Sequence, residues 1–128
     1  MKSVINILED RITAAMAAVT AHRDCAAIVR PSTDPKFGDY QANGVMALAK
    51  KVKANPRKLA EDVVNNLDLT DICLPPEIAG PGFINLRLKT DFLAERILKI
   101  NEDSANLAIE KTTQPKTVVL DFSCPNIA

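Results

Sequence analysis

Six residues, Phe83-Ile84-Asn85-Leu86-Arg87-Leu88, constrain what the rest of the chain can be. They follow Gly80-Pro81-Gly82, a turn-forming tripeptide, and they alternate in character. Side chains of a strand point to opposite faces with a period of two. Ile84, Leu86 and Leu88 therefore make one apolar face, and Phe83, Asn85 and Arg87 make the other. An apolar strand face must be covered, and the rest of the sequence offers mainly helices to cover it.

Residues 2–21 predict the first helix. Ile5, Leu8, Ile12, Ala15 and Val19 recur at spacings of three and four, while Glu9, Asp10, Arg11 and Thr13 fall on the opposite side. Residues 26–30 are a short apolar run stopped by Pro31 and read as a strand. The stretch from Pro31 to Gly38 reads as a loop. A second helix is expected from about Asp39 to Lys53, with Val45, Leu48, Ala49 and Val52 on one face and Asp39 as its cap. Asn55-Pro56 restarts the chain as an N-cap followed by a proline at the first helical position. Leu59, Val63 and Leu67 give that third helix its stripe.

A strand follows near Ile72–Leu74 or around Glu77–Ala79, with Pro75-Pro76 obscuring its extent. After the strand Phe83–Leu88, Thr90 caps a fourth helix that turns Leu93, Ile97 and Ile100 inward. Residues 101–116 are polar and irregular, with a short helical piece around Leu107, and Thr117–Phe122 reads as a further strand. The expected fold class is α+β, with helices packed on one face of a small antiparallel sheet.

Composition narrows the function. The chain has 128 residues and 47% hydrophobic side chains, enough for one core, but only 4% aromatics, so that core is aliphatic. Sixteen Lys and Arg balance sixteen Asp and Glu. Generic nucleic-acid binding draws on excess positive charge, so an RNA-binding role requires the basic residues to be concentrated locally. Cys25, Cys73 and Cys124 lie far apart, and His22 is the single histidine. No metal-ligand spacing results. An odd cysteine count without a signal peptide fits a reducing cytoplasm, and the longest apolar run, Ala14–Val19, is far short of a membrane span.

No catalytic constellation is legible in these residues, and there is no phosphate-binding glycine loop, since Gly80-Pro81-Gly82 is too short and proline removes a donor. Three features remain. Phe83, Asn85 and Arg87 set an aromatic ring, an amide and a guanidinium in a row. Single-stranded RNA is recognised by such a set, through stacking on a splayed base, hydrogen bonds to its edge and a phosphate contact. On spacing alone the strand also reads as an ordinary wet sheet face that carries one ring. Lys50, Lys51, Lys53, Arg57 and Lys58 place five positive charges within nine residues. They read either as a phosphate-contacting patch or as a complement to a helix C-terminus with solvated neighbours. Phe37-Gly38-Asp39-Tyr40-Gln41-Ala42-Asn43 leads into a helix, with Phe37 and Tyr40 as packing anchors.

Together with Ala79-Gly80-Pro81-Gly82-Phe83-Ile84-Asn85 and Asp121-Phe122-Ser123-Cys124-Pro125-Asn126-Ile127-Ala128, this last segment makes three ordered blocks. The set resembles the arginyl-tRNA synthetases over essentially the whole chain. The first two blocks resemble that family's additional N-terminal domain, and the third resembles the opening of its catalytic domain.

The resemblance implies a domain organisation: residues 1–101 as a tRNA-recognition domain, 102–116 as a linker, and 117–128 as the first strand of a truncated class I, Rossmann-type catalytic domain. It implies contact with the D-loop corner of the tRNA for arginine, with Phe83 and Asn85 engaging a protruding base. Arg87, Lys50, Lys51 and Lys53 are the accompanying candidates. In the full enzyme, Asp121, Cys124 and Asn126 would hold arginine; Cys124 stands where the family often has Ser or Ala. The remaining catalytic and anticodon-binding domains, with ATP and magnesium, would supply the chemistry. The sequence stops before the family's nucleotide-binding motifs, so no catalytic residue and no cofactor are expected in this stretch. Two other readings of the residues stay open: a stand-alone protein-interaction or dimerisation module, and a small-ligand regulatory domain.

Overall fold

The computed structural model describes residues 1–109 and 111–121. Its elements are α1 (Val4–Thr20), β1 (Val29–Pro31), a 3-10 turn (Pro35–Phe37), β2 (Tyr40–Ala42), α2 (Gly44–Val52), α3 (Pro56–Asn65), β3 (Glu77–Ala79), β4 (Phe83–Leu86) and α4 (Thr90–Glu102). The sheet order is β1-β2-β4-β3, antiparallel throughout. The fold is α+β, with α1, α2 and α3 packed over one face of the sheet.

The helix starts follow from local chemistry. Ser3 accepts from Asn6 N at the head of α1. Asn55 accepts from Arg57 N and Lys58 N ahead of Pro56, which satisfies two donors that the first turn of α3 would otherwise leave unpaired. Leu8, Ile12 and Met16 of α1 and Ala60 and Val63 of α3 are fully buried, together with Val45 of α2 and Ala42, Ile84 and Leu86 of the sheet. Each large aliphatic side chain so buried contributes about 1.5–3 kcal/mol.

The polar side of α1 is structural as well. Thr13 Oγ1 accepts from Ala27 N at 3.1 Å, and Glu9 accepts from Val29 N at 3.2 Å. These bonds satisfy backbone donors along the approach to β1, the strand at the edge of the sheet. β1 begins only at Val29, so residues 26–28 of the expected strand lie outside it, and Pro31 is its last residue, which an edge strand tolerates.

Three expectations are corrected. Residues 40–42 are not the start of a helix: they form β2, an inner strand between β1 and β4. A three-residue strand shows no period of its own, and its apolar Ala42 merges with the helical spacing that follows. Helix α2 begins only at Gly44, where an added Cβ would lie 1.8 Å from the Ala26 carbonyl oxygen, so the helix enters against the chain before β1. Second, Thr90 is the first residue of α4, behind Lys89, and it provides no side-chain cap. Leu93 and Ile97 face solvent at 41% and 64% exposure; Phe92 packs against the core instead, and α4 buries no residue completely. Arg96, one turn on, ties the helix to the Lys2 carbonyl at 2.8 Å. Residues 117–121 pair with no strand of this sheet, and Val118, Val119 and Leu120 are exposed. Phe122 lies outside the described residues. Third, around Leu107 the chain is a turn and not a short helical piece, with Leu107 and Ala108 left-handed.

Candidate nucleic-acid interface

Strand pairing lays out the sheet face turned away from the helices. Gln41 pairs with Arg30 on one side and Asn85 on the other, and Asn85 pairs with Glu77. Arg30, Gln41, Asn85 and Glu77 thus form one polar row across all four strands. The next position along is the pair Ala79–Phe83. On the opposite face the row Val29, Ala42, Ile84 and Ile78 meets the helices. The alternation read from Phe83–Leu88 therefore holds.

Asn85 departs from a simple wet face, because it is only 6% exposed. Its burial is compensated: the Gln41 amide nitrogen donates to Asn85 Oδ1 at 2.8 Å. A carboxamide withdrawn from water without such a partner costs about 1–3 kcal/mol.

Two turns frame this row. Gly38 has φ +91°, and a Cβ there would lie 2.5 Å from the Leu86 carbonyl oxygen. Glycine lets the 3-10 turn settle against the end of β4. Asp39 then continues the pairing: its N–H donates to Leu86 O and its carboxylate accepts from Leu88 N, each at 2.8 Å. Asp39 is thus a strand clamp and not a helix cap. On the other side, Gly82 has φ +138° and a Cβ there would lie 2.9 Å from the Pro56 carbonyl oxygen. Arg57 donates to the Gly80 carbonyl at 3.0 Å. The glycine-proline turn ahead of Phe83 is therefore seated on the N-terminus of α3.

Phe37, Gln41, Gly80 and Phe83 line a cleft of about 330 Å³ together with Ser32, Thr33 and Ala79. That size lies within the range of small-ligand sites. Phe37 is 37% exposed and carries the Lys36 ammonium 4.7 Å above its ring. It also lines a smaller recess with Asn85, Glu77 and Arg87. The expectation that Phe37 and Tyr40 both anchor the core splits: Tyr40 packs against the core, and Phe37 opens onto the outer face. No sequence signal separates the two rings, because the turn that aims Phe37 outward is set by contact with β4.

The basic candidates do not form one patch. Arg87 donates to the Pro35 carbonyl at 3.1 Å, which holds it beside the 3-10 turn. Lys51 turns toward Asp24 and pairs with its carboxylate at 3.0 Å. That hydrogen-bonded ammonium holds the Asp24 carboxyl below the usual carboxylate range. Lys50 and Lys58 are exposed and, like Lys53, make no ion pair among the described residues. Lys53 ends α2 in a left-handed conformation, with φ 54°. Arg57 thus sits beside the Gly80–Gly82 turn, also 3.9 Å from Glu61, with Lys53 and Lys58 close to it in sequence on either side of Pro56, whereas Lys51 is turned to Asp24.

Asp121 is exposed, and Cys124 and Asn126 lie outside the described residues. Among the described residues, no cluster of His, Cys, Asp and Glu is arranged to hold a metal ion, and no helix is long and apolar enough to cross a membrane.

Comparisons with known proteins bear on this arrangement. A family model described as the arginyl tRNA synthetase N terminal domain matches residues 6–88. An arginine–tRNA ligase of Pseudoalteromonas translucida is 47% identical over 126 residues, covering 98% of this chain and 22% of the relative. One from Haemophilus influenzae is 48% identical over 126 residues, with the same coverages of 98% and 22%. The chain thus spans about a fifth of the length of these curated relatives. A crystal structure of arginyl-tRNA synthetase from Plasmodium falciparum superposes with a TM-score of 0.70 at 23% identity, over 78% of this chain and 18% of that one. At that identity the likeness is one of fold.

Proposed function

This chain belongs to the arginyl-tRNA synthetase N-terminal domain family, and from that premise we propose that residues 1–101 recognise the D-loop corner of the tRNA for arginine. The observation that carries the reading is the outer sheet face. Phe83 and Phe37 line a cleft beside the Gln41–Asn85 amide pair, so a stacking surface and hydrogen-bonding groups converge, as recognition of a splayed-out base requires. Arg57, Lys58 and Lys53 at the adjoining helix junction supply positive charge for the phosphates, and Arg87 flanks the opposite end of the row.

The whole protein would attach arginine to its tRNA with ATP and magnesium, through an arginyl-adenylate. Residues 102–116 would link this domain to a catalytic domain beginning at residue 117, with Asp121, Cys124 and Asn126 on its arginine side. The exposed apolar side chains of Val118, Val119 and Leu120 support this division, since they suit a segment whose strand neighbours come from that domain. The N-terminal domain makes binding energy remote from the reaction, and that energy orients the acceptor end. Its setting is the cytoplasm, with the catalytic and anticodon-binding domains of the same protein as its neighbours.

The test is a titration of labelled tRNA for arginine with this chain at two salt concentrations. Affinity should fall as salt rises. Phe83→Ala should lower it by roughly 5–100-fold and leave the melting temperature near the parent value. Salt-independent binding, or a Phe83→Ala protein that binds as the parent does, would sink the reading. Unfolding by Phe83→Ala would instead assign the ring to the core.

A further inference from the structure

Helix α4 differs from the other three. None of its residues is fully buried. Phe92 at the core and Arg96 on the Lys2 carbonyl hold it to the rest of the domain. Its charged side chains are Asp91, Glu95, Arg96, Lys99 and Glu102. At 3.6 residues per turn, all of them fall outside an arc of about 160° that holds Ile100, Leu93, Ile97, Ala94 and Leu98. Thr90 and Asn101 are the polar residues on that arc, and neither is charged. Leu93, Ile97 and Leu98 are exposed. Single apolar side chains are normal on a protein surface, whereas a charge-free helix face of this width marks a contact. The apolar exposure continues along the chain, through Leu107 and Ile109 to Val118, Val119 and Leu120. The match to the N-terminal domain family ends at residue 88, ahead of α4.

We propose that this face of α4 docks on an apolar surface of the catalytic domain of the same protein, and so fixes the angle between the tRNA-recognition domain and the reaction centre. This rests on the reading that a catalytic domain begins at residue 117. The relatives support that occupant: they match 98% of this chain along only 22% of their own length, so a large remainder is there to cover the helix. Proximity favours it over a second copy. Helix α4 runs straight into the linker 102–116, and a tether of that length reaches roughly 20 Å on average. Such a tether keeps its two ends at a mutual concentration in the millimolar range, and a second copy at micromolar concentration competes poorly with that neighbour. The docking also has a use. Binding energy gained at the D-loop corner orients the acceptor end only when the two domains hold a fixed relation.

Amide hydrogen exchange on the full-length protein tests the docking. Ile97→Glu sets a charge in the middle of the face. On a bare helix it should leave α4 exchange unchanged or slow it slightly, because glutamate has the higher helix propensity. On a docked helix it should speed exchange over residues 93–100 by roughly tenfold or more, while Ile84 and Leu86 of the sheet keep their protection. Leu93→Gln, on the same face, should act alike, and Glu95→Gln, on the far side, should not. The kcat/KM for attaching arginine to tRNA should fall with Ile97→Glu by roughly 3–30-fold. Exchange that Ile97→Glu and Leu93→Gln leave unchanged or slow overturns the proposal, and so does faster exchange with an unaltered kcat/KM. Protection of α4 that appears only as the protein dimerises assigns the face to a second copy and overturns it too. Arginine attachment by the wild-type full-length protein separates the two levels. If it is absent, the catalytic-domain reading falls and the docking with it; if it is present and exchange ignores both substitutions, only the docking falls.

Discussion

The Asp39 carboxylate accepts the backbone N–H of Leu88 at 2.8 Å. It extends the β2–β4 pairing past the last strand residue, and Gly38 makes this possible by bringing the chain within reach of Leu86. The two residues act as one device. Asp39→Ala should cost about 1–2 kcal/mol, because Leu88 N loses its partner. Gly38→Ala should cost at least as much, since a Cβ meets a backbone oxygen at a φ that L residues rarely adopt. Urea unfolding followed by circular dichroism measures both. An Asp39→Ala protein as stable as the parent would show that water replaces the carboxylate at no cost.

Phe37 and Tyr40 sit three residues apart and have different fates. Tyr40→Ala removes a ring packed against the core and should destabilise the fold by about 1–3 kcal/mol. Phe37→Ala should change stability by less than about 0.5 kcal/mol but weaken tRNA binding several-fold, as loss of a stacking surface does. Melting curves and tRNA titrations on the two variants check the contrast. Equal tRNA affinity for Phe37→Ala and the parent would restrict the contact surface to β4.

Lys53 and Lys51 should behave differently although they are two residues apart. Lys53 holds a left-handed φ of 54°, which costs an L residue about 1–2 kcal/mol, more than the entropy penalty of a glycine, so Lys53→Gly should stabilise the domain slightly. The same change should lower tRNA affinity and reduce the salt slope by about one charge. Lys51→Ala breaks the Asp24 pair, which is exposed and worth little, and should leave the slope unchanged. Titrations over a salt series distinguish them; a slope that responds to Lys51 and not to Lys53 would move the phosphate path to the α1–β1 side.

Cys73 gives a pH dependence of known sign. Burial, reinforced by the Asp39 and Asp71 carboxylates, pushes its thiol up to about 11. The folded state holds the proton more tightly than the unfolded chain, whose thiol titrates near 8.5. Its contribution to stability is therefore fully present below that value and is lost as pH rises from there toward 11. Cys73→Ala should flatten stability between those limits, and a thiol reagent at pH 8 should reach Cys73 only when the domain unfolds. Rapid labelling of native Cys73 would contradict this.

The helices α1 and α3, the Asn55-Pro56 start and the two faces of β4 were legible in the sequence. In each case the determinant is local: a period of 3.6 or 2, or a cap adjacent to the turn it satisfies. The order of the three motif blocks was local information too, and it pointed to the family. Tertiary structure alone decided the rest. Strand β2 is too short to carry a period and exists because β1 and β4 flank it. Asp39 reads as a helix cap until Leu88, far along the chain, arrives beside it. Phe37 is aimed outward by a glycine whose reason lies in β4, and α4 turns Phe92, not Leu93, to the core because its tethers are distant groups such as the Lys2 carbonyl. Lys51 left the basic cluster for Asp24. The bond between Gln41 and Asn85 spans two strands far apart in sequence, so the pairing that builds the candidate site is a property of the assembled sheet and of no single segment.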